Sequence, residues 1–298
     1  MNWVLIATLS SVVYAAVSLT DKQILSKHKL DLYPFCLFAG SVNLLISLII
    51  FLFLNIPSLQ FIVIIRGISV GVLWGLAIWI MFSILKKREI TRVELIFQSS
   101  PIFVIIMATL FLGENLSIPI IFSFVLMMFG SILASIEFNK QSSGLDKKDL
   151  LFLLFSAFLV GVASIVLKSN SKEIGEIHAL ALRGIGIGIT LGVPSFRISS
   201  FRILIDYLTN IKKGPFIVST ELGAALANML IIIAITSGPV SVVQAIMGTR
   251  PVFIFLGSII LTIFGIKSFE NWSKTNTLIK MISLIMVTSG LITLSLFK

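Results

Sequence analysis

Residues 90–106, ITRVELIFQSSPIFVII, and residues 240–256, VSVVQAIMGTRPVFIFL, follow the same pattern. Each is an apolar segment with a polar residue at its fifth position and a proline at its twelfth. Because proline lacks a backbone N–H and clashes with the preceding helical turn, each segment is predicted to be a helix interrupted near its middle. The repetition predicts a duplicated chain whose halves each contribute one interrupted helix to a shared central site.

The composition is that of a membrane protein: 57% of the residues are hydrophobic and only 12% are charged, against about 25% charged in soluble proteins. Apolar runs of about 20 residues are long enough to cross a bilayer. The first run lacks a basic region in front of it, so it is not predicted to be a cleavable signal peptide. The pattern predicts an all-α integral membrane protein with ten transmembrane helices, at about 3–20, 33–54, 67–85, 93–112, 116–136, 150–167, 177–196, 215–236, 240–263 and 278–297.

The residue types that carry catalysis and metal binding are sparse. Cys36 is the single cysteine, and His28 and His178 share no metal-ligand spacing. No glycine-rich phosphate loop or paired-carboxylate motif occurs, so an enzyme or an ATP-driven pump is not indicated. We predict no catalytic residue, no metal and no cofactor.

The net charge of +10 is explained by membrane topology rather than by a nucleic-acid partner. With the loops numbered one to nine, 17 of the 23 basic residues fall in odd-numbered loops. By the positive-inside rule those loops are cytoplasmic, which places both termini outside the cytoplasm of a multi-pass protein of the cell membrane. The basic residues of the odd loops are Lys22, Lys27, Lys29, Lys86, Lys87, Arg88, Arg92, Lys140, Lys147, Lys148, Arg197, Arg202, Lys212, Lys213, Lys267, Lys274 and Lys280.

The same charges test the duplication. Loop 2, at residues 55–60, has no basic residue, whereas loop 7, its counterpart in the second half, has four. Equivalent loops therefore lie on opposite membrane faces, as two inverted five-helix repeats require. The predicted division is a first repeat at 1–138, a basic and polar linker at 139–148 and a second repeat at 149–298.

The two halves also share individual residues. Glycines on helices 3 and 7 recur every fourth residue and predict close helix contacts. The matches between halves pair Ser10 with Ser156, Ser18 with Ser164, Lys22 with Lys168 and Gly130 with Gly290. With the polar-then-proline fourth helices, this architecture resembles the EamA-type branch of the drug/metabolite transporter superfamily. The second repeat departs from the usual pattern with Phe264–Lys267 in place of Gly-Glu, and Gly40–Ser41 stands where an arginine commonly opens the second helix.

The resemblance implies a secondary carrier that exports a small organic metabolite, amino acid-like or other, by alternating access. It also implies a cavity surrounded by helices 1, 3, 4, 6, 8 and 9, with helices 5 and 10 outside. The driving force is protons or the solute gradient alone, and the expected partners are the solute and the lipid bilayer, with the chain as a monomer or a homodimer. The alternatives are a lipid-linked or nucleotide-sugar carrier, or a non-transporting membrane scaffold or subunit.

Glu221 is the most informative charge, because an ionisable group inside a membrane helix is costly and is normally paired or functional. Its available partners are Arg183 and Arg250. The candidate substrate-binding residues are Glu94, Gln98, Glu221, Gln244, Trp74 and Tyr14; the candidate pairing or gating residues are Arg183, Arg250, Lys22 and Lys168; the helix breaks are Pro101 and Pro251.

Each of these candidates also has a purely structural interpretation. Glu221 and an arginine would hold helices together, and Glu94 would pair with Arg92 or Lys87 at the interface. The lysines would extend to the lipid headgroups, the aromatic side chains would face lipid, and the prolines would be packing kinks.

Overall fold

A computed structural model describes residues 2–54, 60–88, 90–114, 116–135, 146–171, 173–263 and 274–296 of the 298-residue chain. All regular secondary structure in these ranges is helical. Helices satisfy every backbone hydrogen bond within one segment, which an apolar run inside a bilayer requires. The prediction of an all-α protein is confirmed for the described residues.

The helices alternate between long apolar elements and shorter ones. In chain order they are α1 (Trp3–Lys22), α2 (Leu32–Phe53), α3 (Phe61–Leu85), α4 (Ile90–Phe97), α5 (Ser100–Leu112), α6 (Ile118–Ser135), α7 (Lys147–Asn170), α8 (Glu176–Ser195), α9 (Ile198–Leu208), α10 (Gly214–Ser237), α11 (Val240–Met247), α12 (Arg250–Ile263) and α13 (Lys274–Leu296). A π-helical turn, Gln23–Lys27, continues α1.

Seven segments of the described chain are long and apolar enough to cross a membrane: Trp3–Leu25, Leu32–Phe53, Phe61–Leu85, Lys147–Asn170, Glu176–Ser195, Gly214–Ser237 and Val240–Ile263. Shorter apolar helices lie at Ser100–Leu112, Ile118–Gly130 and Met281–Thr293. The helices therefore support a multi-pass membrane protein.

Parts of the predicted layout lie outside the described residues. They include most of the linker at 139–148, the stretch from Phe264 to Lys267, and the basic residues Lys140, Lys172 and Lys298. At the end of the predicted linker, Lys147 already begins α7.

Helix α8 is packed between α2 and α3, and both glycine ladders lie at these contacts. A Cβ on Gly71 of α3 would stand 2.0 Å from the carbonyl oxygen of Arg183 on α8. A Cβ on Gly188 of α8 would stand 3.0 Å from the carbonyl oxygen of Gly40 on α2. Only glycine permits backbones to approach this closely, so the ladders fix the position of α8 and of the arginine it carries.

Two further helices, α6 and α13, pack against each other through a pair of reciprocal contacts. A Cβ on Gly130 would lie 3.0 Å from the carbonyl oxygen of Ser283, and one on Gly290 would lie 3.1 Å from that of Ser123. Neither helix contributes to the two internal cavities described below.

Helix α9 occupies most of the seventh loop and was not predicted from the sequence. Its apolar residues are spaced three and four apart, as in an amphipathic helix, but the run is too short to cross a bilayer. Its inner face, with Leu204 and Tyr207, is buried, and α9 packs against α2 and α10.

Candidate functional site

The two interrupted helices meet inside the protein. The first ends at Phe97 and resumes at Ser100, and the second ends at Met247 and resumes at Arg250. Pro101 lies in the first turn of α5, where a missing N–H costs nothing. A Cβ on Gly248, in the second break, would stand 3.3 Å from Cγ of Pro101. The breaks therefore touch, and each is closed by tight-turn hydrogen bonds such as Ser99 N–H to Ile96 O, at 3.0 Å.

A buried ion pair joins these two helices. Nη1 of Arg250 lies 3.7 Å from Oε2 of Glu94, and the two side chains are 5% and 1% exposed. Nε2 of Gln98 donates to the same carboxylate oxygen at 3.2 Å, and the guanidinium lies over the ring of Tyr14, 4.5 Å from its centroid. A pair this deeply buried is costly to break, because the remaining charge would be uncompensated. Glu94 thus has a partner in the opposite half of the chain.

Beside this pair lies a cavity of about 60 Å³, which has room for a few water molecules. Its wall is largely apolar, with Trp74, Ile78, Met81, Phe82 and Phe97, and its polar lining consists of Tyr14, Ser18, Asp21, Asn43, Glu221, Asn228 and Arg250. Helices α1, α2, α3, α4, α8, α10 and α12 contribute to it. This differs from the expected set. Helices α2 and α8, which correspond to the second and seventh predicted helices, line this cavity, whereas α7, which corresponds to the sixth predicted helix, does not.

Glu221 is an unpaired carboxylate that lines this cavity. The carboxylate is on α10, where it is 7% exposed, and no hydrogen bond or ion pair is found for it among the described residues. The expected pairing with Arg250 is therefore replaced by the pairing of Arg250 with Glu94. A buried carboxylate that faces a cavity without a partner is available to a ligand or a proton.

Asp21 is a charged site residue that was not predicted from the sequence. It is 5% exposed near the end of α1 and lines the same cavity as Glu221, within electrostatic range of that carboxylate. A signal was present, since Asp21 is an acidic residue next to a lysine at the end of an apolar helix. The cavity thus carries two carboxylates, one from each half of the chain.

Arg183 and Gln244 line a second, smaller cavity of about 10 Å³. The Arg183 guanidinium lies 4.3 Å from the centroid of the Trp74 ring, and its Nε and Nη2 have no hydrogen-bond partner among the described residues. Nε2 of Gln244 donates to Oγ of Ser164 at 2.8 Å. Trp74 lines both cavities.

The other aromatic candidate, Tyr14, joins α1 to α10. Its hydroxyl donates to Oδ1 of Asn228. The ring contacts Arg250 on one side, and the hydroxyl lies in electrostatic range of Arg183 on the other. Tyr14 therefore faces the cavity rather than lipid.

Lys22 and Lys168 each bind the carboxyl end of a helix in their own half. Nζ of Lys22 donates to the carbonyl oxygens of Leu85 and Arg88 at 3.0 and 2.8 Å. Nζ of Lys168 donates to those of Ile235 and Gly238, each at 2.8 Å. An ammonium group stabilises the negative end of a helix dipole. The two lysines therefore bind the ends of α3 and α10.

No group of side chains with metal-ligand character is found among the described residues. The thiol of Cys36 is buried and not in a disulfide.

Comparison with known proteins finds a family match over the first part of the chain and a similar fold over both halves. The model of the EamA-like transporter family matches residues 1–136. The crystal structure of one protein superposes on this chain with a TM-score of 0.64 at 15% sequence identity. The superposition covers 98% of this chain and 96% of the other. This likeness concerns the fold alone, and it extends over both halves of the chain. No curated protein matches the sequence.

Proposed function

We propose, from the match of residues 1–136 to the EamA-like transporter family, that the chain is a secondary carrier exporting a small organic metabolite by alternating access. The carrier has ten membrane-spanning helices in two inverted repeats, and the solute site lies between them. The observation that carries the proposal is the internal cavity with the unpaired Glu221 carboxylate.

Equivalent contacts in the two halves support the inverted repeats. Oγ of Ser10 donates to the carbonyl oxygen of Ala227 at 2.9 Å, and Oγ of Ser156 donates to that of Ala77 at 3.1 Å. Each serine is in the first helix of its half and reaches the third helix of the other half. Lys22 and Lys168 also make equivalent contacts, each with the third helix of its own half. Gly130 and Gly290 each contact the last helix of the other half. Such reciprocity is expected when repeats are related by an axis in the membrane plane.

The two internal cavities support alternating access. The larger one includes Ser18 of α1, and the smaller one includes Ser164 at the matching position of α7. The larger one extends to Asp21 near the end of α1, and the smaller one extends to Ile235 near the end of α10, which packs against Trp3 at the start of α1. The two cavities therefore lie towards opposite ends of the bundle. The volumes of 60 and 10 Å³ support a state in which the side of the odd-numbered loops is the more open one. Exchange of the two volumes would carry a solute past Trp74.

The lining of the larger cavity favours a solute with a positively charged or proton-donating group. Asp21 and Glu221 provide carboxylates, and the aromatic and aliphatic wall suits an apolar body. With the odd loops cytoplasmic, this cavity takes the solute from the cytoplasm, which is the direction of export. Glu221 is also the group that would couple transport to protons.

The test is transport by the purified chain in proteoliposomes, with a panel of radiolabelled amino acids and primary amines. Glu221→Gln keeps the shape and removes the charge. We expect transport to fall at least about tenfold and to lose its pH dependence, since a charge-assisted hydrogen bond contributes about 1.5–3 kcal/mol. Glu173→Gln, an equal charge change at an exposed position outside the cavity, should leave transport unchanged.

Folded yield and thermal stability of both variants are measured in parallel. If Glu221→Gln is fully active with unchanged pH dependence, the cavity is not the solute site. If no variant or wild-type chain moves any member of the panel or protons, the scaffold alternative is favoured instead.

A further inference from the structure

A third cavity, on the face of the odd-numbered loops, is separate from the solute site. It has a volume of about 530 Å³ and lies between the start of α2, the end of α3 and the start of α9. This volume is within the range of about 300–1,000 Å³ that is typical of small-molecule sites. We call it the α9 pocket, and its polar lining includes Asp31, Lys86, Lys87, Arg197, Ser199 and Ser200.

The α9 pocket is positively charged. Lys86, Lys87 and Arg197 contribute three cationic groups, whereas Asp31 contributes one carboxylate. Nζ of Lys86 lies 2.7 Å from Oδ1 of Asp31, so that pair is largely neutral. The Arg197 guanidinium is held over the ring of Tyr33, 4.2 Å from its centroid. Two net positive charges remain for a ligand.

The amino end of α9 opens into the same pocket. The first intrahelical bond in this turn is from Phe201 N–H to Arg197 O, at 2.9 Å, so the preceding N–H groups have no partner within the helix. Ser200 is only 4% exposed and lines the pocket, and its hydroxyl makes no hydrogen bond among those the structure describes. A helix amino terminus with neighbouring cations and a buried serine whose hydroxyl has no protein partner is suited to a phosphate group.

The outer face of α9 exposes apolar side chains beside Arg202 and Asp206. Ile198 is 82% exposed and Phe201 is 52% exposed. On the inner face, the hydroxyl of Tyr207 and Nδ1 of His28 are hydrogen-bonded at 2.8 Å. Burial raises the pKa of Tyr207 to about 12, so its hydroxyl stays protonated at physiological pH. A short helix that is fixed on one face and presents apolar side chains on the other lies in the membrane interface.

From these features we propose that the α9 pocket binds the phosphate headgroup of an anionic phospholipid, whose acyl chains lie along Ile198 and Phe201. The headgroup phosphate accepts hydrogen bonds from the first turn of α9 and from Ser200, and it is neutralised by Lys87 and Arg197. The basic character of this membrane face complements an anionic leaflet. The lipid anchors α9, and through it the connection between α8 and α10, at the interface.

The test uses the full chain purified in a neutral detergent, with phosphatidylglycerol or phosphatidylcholine added. Native mass spectrometry measures the lipid retained, and thermal unfolding measures the shift in Tm. We expect phosphatidylglycerol to be retained and to raise Tm, and phosphatidylcholine to do neither. The double variant with Lys87→Gln and Arg197→Gln should retain phosphatidylglycerol about 25-fold more weakly, which corresponds to about fivefold for each charge removed. Both side chains are exposed, so the variant should fold.

Arg202→Gln with Lys212→Gln is the matched control, because it removes two exposed charges from the same face outside the α9 pocket. It should retain phosphatidylglycerol within about twofold of the wild type, since salt largely screens exposed charges that lie more than about 10 Å from the bound phosphate. Equal losses in both double variants would mean a diffuse charge effect and would overturn the proposal. Unchanged retention of phosphatidylglycerol by the double variant at Lys87 and Arg197 would also overturn the proposal.

A third arm separates a lipid from a free phosphate. Glycerol 3-phosphate at the same concentration should raise Tm much less than phosphatidylglycerol. A double variant with Ile198→Ser and Phe201→Ser should weaken the retention of phosphatidylglycerol and leave the effect of glycerol 3-phosphate unchanged. If glycerol 3-phosphate stabilises the chain as well as the lipid does, the pocket is a soluble-phosphate site and the lipid proposal is wrong.

Discussion

Glu94 and Arg250 illustrate how one residue pair can join two repeats. They are buried, lie beside the two helix breaks, and come from opposite halves of the chain. Their separation of 3.7 Å and the unsatisfied Oε1 of Glu94 and Nε of Arg250 describe a pair with incomplete hydrogen bonding. A pair of this kind is weakly favourable while both members are present and strongly unfavourable when only one remains.

Glu94→Gln or Arg250→Gln alone should therefore lower the free energy of unfolding by about 3 kcal/mol. The free energy of unfolding of the double variant should fall by less than the sum of the two single losses, with a coupling energy of about 1–3 kcal/mol. Unfolding of the purified chain in mixed micelles measures these values. The exposed pair Lys86–Asp31 provides the control cycle, whose coupling should stay below about 1 kcal/mol. Additive losses at Glu94 and Arg250 would contradict the pairing.

At the scale of elements, the crossing of α3 and α8 determines where Arg183 lies. Gly71 is in backbone contact with α8 at Arg183, and Gly186 of α8 meets the carbonyl oxygen of Ile68 in return. Because backbone atoms cannot rotate away as a side chain can, this contact tolerates no added methyl group. The position of Arg183 over Trp74 depends on the same contact.

Gly71→Ala should consequently destabilise the protein by about 1–3 kcal/mol, measured as unfolding free energy in micelles. It should also reduce transport, since α8 must shift away from Trp74. Gly175→Ala is the matched control: a Cβ there would meet only Nδ1 of His178, at 3.9 Å. Equal stability of the two variants would show that the crossing is looser than described.

At the scale of the whole molecule, the basic residues of separate loops gather on one face. The α9 pocket brings together the start of α2, the end of α3 and the start of α9. The first two adjoin loops 1 and 3, and α9 is part of loop 7. This grouping is what the positive-inside rule requires of a cytoplasmic face. The orientation itself rests on the charge count.

We expect a C-terminal reporter that is active only in the cytoplasm to be inactive, and one that is active only outside to work. The same reporters placed after Lys212, in loop 7, should give the opposite result and serve as the internal control. The physical reason is the cost of moving clustered lysines and arginines across the membrane. A cytoplasmic C-terminus would reverse the orientation and the proposed direction of export while leaving the helices in place.

The sequence alone determined the helical membrane class, most helix positions and the location of the two helix breaks. These depend on local properties: the length of an apolar run, the missing N–H of a proline, and the small size of glycine. The short amphipathic α9 was missed because its apolar residues do not form a run long enough to indicate a span.

Only the tertiary structure decided which charges meet. It paired Arg250 with Glu94 and left Glu221 facing the cavity, where Asp21 joined it. It also directed Lys22 and Lys168 to helix ends. The physical reason is that a side chain's partner is set by helix crossings between segments far apart in the chain, whereas sequence periodicity specifies only which face of its own helix a residue occupies.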